Sequence, residues 1–124
     1  AGGDHLGIWH NCGVYTVPLL DEAAVHSLEH GAVWVTYRPD LGAEAILGLT
    51  GELVDREKLL VSPHPDQIPP VVATAWARQL ALDEPDDPRL KAFIGRFTDG
   101  DAAPEAGVTC QGGIGRPPAD PYGR

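Results

Sequence analysis

The chain has 124 residues, of which 43% are hydrophobic and 22% charged, enough to bury one core and too apolar for wholesale disorder. Its formal net charge is −9, from 18 acidic against 9 basic residues, and the basic residues are scattered. This excludes a phosphate-backbone binder and disfavours docking of the domain to anionic lipid.

In chain order, residues 1–7 are Gly-rich and irregular, and Ile8 to Thr16 reads as an extended segment broken by Asn11 and Gly13. Asp21 is the expected N-cap of a short helix over Glu22 to His30, with Leu20, Ala24 and Leu28 as its apolar stripe and Gly31 as its C′ residue. The run Ala32 to Tyr37 is the strongest strand signal and stops at Arg38-Pro39. A second helix is expected over 42–49, a strand over Lys58 to Ser62, and a further, long strand within residues 71–82. Asp87-Pro88 starts a last helix that runs to about Phe97. From Thr98 onward Gly, Pro, Asp and Ala dominate, so the tail is expected to be irregular. The pattern predicts one α+β domain over 1–124, with a mostly antiparallel sheet and two or three short helices. Its ordered core spans about 5–98, and 99–124 forms an irregular strap.

The sharpest chemical signal is His26-Ser27-Leu28-Glu29-His30. Four residues of helix put the two histidines one turn apart on one face, with Cβ atoms about 5–6 Å apart. Both imidazoles can then reach one ion at the usual Zn–N distance of about 2.0–2.1 Å. The competing reading is a pair of solvated helix residues, with His30 favoured by the helix dipole. His5, His10 and Cys12 crowd nearby in the sequence, and ligands gathered from a loop and a helix suit a metal site. His10 reads as an exposed loop residue and His64 as a turn residue, so neither joins the ligand set.

The same five residues match H-x-x-E-H, the inverted zinc-peptidase motif, with Glu29 as general base. That chemistry takes a further acidic ligand downstream, and Glu105 is the one Glu in the tail. With no helix to hold it, and with Glu29 pointing roughly 100° away from His30 on a helical wheel, the motif alone argues weakly for hydrolysis. Cys12 and Cys110 either pair, remain free thiols, or leave Cys12 as a fourth ligand; their spacing is neither C-x-x-C nor a zinc ribbon.

These residues together resemble the bacterial family known as domain of unknown function 3105. The likeness lies in Gly2-Gly3-Asp4-His5, in Trp9-x-Asn11-Cys12-Gly13-Val14-Tyr15, and in Ala24 through Trp34 on to Tyr37 and Pro39. Weaker echoes are Val61-Ser62-Pro63, Val72 to Trp76, Asp86 to Leu90 and Cys110, so the resemblance spans about residues 2–113. It implies an extracytoplasmic protein with a membrane anchor before the domain. The absence of any Met and the start at Ala1 leave room for such an anchor. It also implies His at positions 5, 26 and 30 and Cys at 12 and 110, and requires none at 10 or 64.

The expectation is therefore an extracytoplasmic transition-metal-binding domain in a binding or carrier role, with His5, His26 and His30 as ligands and Cys12 a fourth if it is not bridged. Copper stands ahead of zinc, because an N-rich site follows the Irving–Williams order and the lack of Met argues against a thioether Cu(I) carrier. The alternatives are a metal-dependent hydrolase and an interaction module with structural histidines. The metal ion is the one partner foreseen; neither nucleic acid nor membrane contact by the domain is.

Overall fold

A computed structural model describes residues 8–54 and 56–123. Strand β1 (Gly13–Val14) is followed by helix α1 (Asp21–Glu29), strand β2 (Val33–Tyr37) and helix α2 (Ala43–Leu53). Strands β3 (Leu59–Pro63), β4 (Val71–Ala75) and β5 (Arg78–Leu82) come next, and helix α3 (Pro88–Phe97) closes the series. The five strands form one sheet in the order β1-β3-β2-β4-β5. Pairing is parallel for β1–β3 and β2–β3 and antiparallel for β2–β4 and β4–β5. The class is α+β, as the alternation of short strands and helices predicts. The parallel pairing follows from α2, which carries the chain from β2 back to start β3 in the same direction.

Strand β2 is buried along its whole length because both sheet faces are covered. Val33, Val35 and Tyr37 face a cluster closed by Leu49 and Leu53 of α2 and by Leu90, Phe93 and Ile94 of α3. Trp34 faces the other cluster, with Leu60, Tyr15 and, from α1, Ala24 and Leu28. Trp34 also donates its indole N–H to the buried Ser62 hydroxyl at 2.9 Å, satisfying both groups away from water.

Helix α3 is the clearest case of local sequence dictating an element. Asp87 accepts the Arg89 amide at 2.9 Å and Pro88 occupies the first helical position. Asp21, expected as the cap of α1, is instead its first residue, and its carboxylate lies 3.3 Å from His64 Nε2. Residues 71–82 form the β4–β5 hairpin rather than one long strand. The turn uses Ala77 at φ 64°, a left-handed conformation for which Ala carries no sequence signal.

His10 is fully buried, not exposed: the Leu20 amide donates to its Nε2 at 2.9 Å, and Ser27 Oγ donates to its carbonyl at 2.8 Å. It thereby staples the N-terminal segment to the start and middle of α1. Burial lowers its pKa below 6.5, although a backbone contact with Ile114 acts the other way. The unfolded chain then takes up this proton first as pH falls, so the contribution of His10 is full above pH 6.5 and drains away below it. We expect Tm in metal-free buffer to fall as pH drops below 6.5. The fall should be shallower in His10→Gln, whose amide oxygen still accepts the Leu20 proton. Equal slopes in the two proteins would remove His10 as the cause.

Among the described residues the tail forms no helix and no strand beyond isolated bridges, yet hydrogen bonds tie it to the rest of the chain at several points. Cys12 and Cys110 form a disulfide. Asn11 clamps the following loop, donating to the Gly115 carbonyl at 2.9 Å and accepting the Gly113 amide at 2.7 Å. Among the described residues no helix is long and apolar enough to cross a membrane.

Candidate metal centre

Helix α1 and its C-cap, His30, bring the imidazoles of His26 and His30 to a ring separation of 4.9 Å, as the i,i+4 spacing requires. His30 is 3% exposed, and it is buried because the tail folds across it. Trp9 packs against both rings, with centroids 5.5 Å from His26 and 4.8 Å from His30.

Each imidazole is oriented by a backbone carbonyl. His26 Nδ1 lies 3.1 Å from the Ile8 carbonyl and His30 Nδ1 lies 2.8 Å from the Thr109 carbonyl. A carbonyl can only accept, so both Nδ1 atoms carry hydrogen and both Nε2 atoms present a lone pair in the neutral ring. This is the arrangement by which metal-ligating histidines are commonly held. Both Nε2 atoms face Glu105, whose Oε1 is 3.4 Å from His30 and 3.9 Å from His26. The three ligand atoms of His26, His30 and Glu105 all lie within 4.8 Å of one another. Ligands around a tetrahedral Zn²⁺ stand about 3.4 Å apart at Zn–N distances of about 2.0–2.1 Å. The Glu105 oxygen already stands near that spacing from both imidazoles, so the widest gap is the one between His26 and His30, which the two rings close by turning toward the ion.

Glu105 reaches the histidines because its loop is pinned at several points. Its amide donates to the Glu29 carbonyl at 2.8 Å. Asp99 donates its amide to the Gly31 carbonyl at 2.8 Å, accepts the Gly107 amide at 2.9 Å and pairs with Lys58 at 2.9 Å. Lys58 Nζ also donates to the carbonyls of His30 and Val108. Burial by itself would raise the Asp99 carboxyl pKa, but the Lys58 ammonium and the Gly107 amide outweigh it and hold the group below the usual carboxylate range. Gly31 permits the close pass of this loop at φ 98°, where a Cβ would meet the Asp99 backbone Cα at 2.9 Å.

The structure thus brings together His26 and His30 from the sequence-derived ligand set and adds Glu105. His5 lies outside the described residues. Cys12 is bound to Cys110, so its sulfur is no thiolate and the conditional ligand role falls away. His64, paired with Asp21, stays apart from the cluster. Glu29 contributes its backbone carbonyl to the loop, and its carboxylate is not one of the three convergent groups. Glu105 was legible only as the late Glu that H-x-x-E-H calls for. No helix carries Glu105, and its irregular segment is pinned instead by the Lys58–Asp99 pair and the disulfide.

The family described as protein of unknown function (DUF3105) matches residues 1–112. No curated protein and no solved structure matches the chain.

Proposed function

The chain belongs to the DUF3105 family, and we propose that it is an extracytoplasmic domain that binds one transition-metal ion through His26, His30 and Glu105. The observation that carries this reading is the convergence of two Nε2 lone pairs, each set by a carbonyl on Nδ1, with one carboxylate oxygen. Two imidazoles and a carboxylate suit both Cu(II) and Zn(II), and the Irving–Williams order favours Cu(II) where both are available. The disulfide supports an oxidising compartment. A role in holding or passing on the ion is the primary reading.

One observation favours a second reading, a metal-dependent hydrolase: beside the H-x-x-E-H histidines lies a downstream carboxylate, Glu105, of the kind the inverted motif takes. Two His and one Glu leave a coordination position open, as hydrolytic zinc sites do. Two variants separate the readings. Glu105→Gln should weaken metal affinity by roughly tenfold or more, because a charged ligand becomes a neutral one. Glu29→Gln should leave affinity within about threefold, which is below 1 kcal/mol. A peptide- or ester-hydrolysing activity of the zinc-loaded protein that vanishes in Glu29→Gln would replace the carrier role with hydrolysis. Unchanged affinity in Glu105→Gln would remove Glu105 from the site.

A further inference from the structure

A cavity of about 340 Å³ lies where the end of α1, the β4–β5 turn, the end of α3 and residues 100–103 meet. It is separate from the histidine cluster, and no part of the proposed metal chemistry uses it. Its floor is made of small residues such as Gly31, Ala32 and Ala75, and one wall is the partly buried indole of Trp76. Two arginines stand at it. Arg78 opens β5 and Arg96 lies in the last turn of α3, and their guanidinium carbons sit 5.8 and 5.5 Å from the centroid of the same Phe97 ring.

This pairing is unusual in so acidic a chain. Arg38, Lys58, Arg89, Lys91 and Arg116 each have a carboxylate within salt-bridge distance. Arg56, Arg78 and Arg96 have none among the described residues, and of these Arg78 and Arg96 line the same cavity, Arg78 donating only to the adjacent Ala77 carbonyl at 3.2 Å. Asp101 shares the cavity wall, is exposed and pairs with neither, so the three charged groups there sum to +1. Two cations that line one cavity without a carboxylate partner are able to receive an anion, and guanidinium groups match a carboxylate in planarity and in donor geometry. The Trp76 indole and the small-residue floor beside them offer a flat apolar surface to the body of a ligand.

We propose that this cavity binds a small aromatic carboxylate, with its carboxylate on Arg78 and Arg96 and its ring against Trp76. The probe is phenylacetate, with 2-phenylethanol as the neutral analogue of nearly the same shape, titrated into the full chain and followed by backbone amide NMR shifts. Phenylacetate should saturate with a Kd of about 1 mM, ordinary for a ligand of about ten heavy atoms. The shifts should centre on residues 75–78, 96–97 and 100–103. The alcohol should bind at least about tenfold more weakly, and the Arg78→Gln, Arg96→Gln double variant should bind phenylacetate no better than the alcohol. Both arginines are exposed, so an otherwise unchanged amide spectrum will show that the variant keeps its fold; Trp76→Leu provides an independent arm and should also weaken binding. Equal binding of acid and alcohol, shifts centred elsewhere, an unaffected double variant, or no saturation by about 20 mM would each overturn the proposal.

Discussion

Replacing His26 and His30 together with alanine is expected to lower affinity for Cu(II) or Zn(II) by roughly three orders of magnitude or more, since one half-exposed carboxylate remains of three ligands. The two side chains are held by different parts of the chain, His26 by the Ile8 carbonyl and His30 by the Thr109 carbonyl. Each single variant should therefore lose part of the affinity while the partner imidazole keeps its orientation. Acid should also weaken binding to the native protein, because a protonated imidazole has no Nε2 lone pair to offer the ion. Competition titrations against a chelator of known affinity give these values. An undiminished affinity in the double variant would discard the site.

The second large effect concerns the Cys12–Cys110 bridge, which joins residues 98 positions apart. In the chain-entropy treatment a loop of this size contributes up to about 4–5 kcal/mol, so Cys12→Ala with Cys110→Ala should lower Tm by roughly 10–20 °C. Mass analysis under denaturing, non-reducing conditions should find no alkylatable thiol in the native protein. The bridge also anchors the site, because Cys110 follows Thr109, whose carbonyl orients His30, and ends the loop that bears Glu105. Metal affinity should fall in the same variant even at temperatures where it is fully folded. A double variant with native Tm and native affinity would show that the hydrogen bonds of Asn11 and Lys58 suffice to hold the tail.

Which parts of this arrangement were legible in the sequence follows from the range of the forces involved. Helix α3 is written locally: a capping Asp, a Pro at the first helical position and an apolar face over ten residues. Strand β2 is likewise a run of β-branched and aromatic residues, and the His26–His30 pairing needs nothing beyond helical periodicity. The β4–β5 turn was hidden because Trp76 and Ala77 are not turn formers, and the left-handed Ala77 is imposed by the pairing of the strands on either side. The burial of His10 depends on Leu20 and Ser27, and on the tail strand bridge to Ile114, all at a distance in the chain. Glu105 was obscured for the same reason. Its loop has no periodicity, and what holds it is Lys58 reaching from the start of β3 to Asp99, His30 and Val108. Long-range polar pins of this kind leave no local pattern, whereas the histidines, one helical turn apart, do.

The most direct measurement is metal analysis joined to X-ray absorption on the protein purified without a polyhistidine tag and loaded with Cu(II) or Zn(II). The account predicts about one ion per chain, with a nitrogen and oxygen shell near about 2.0 Å that contains two imidazoles. A protein that retains no ion after loading, or one whose bound ion shows no histidine in its shell, would contradict it.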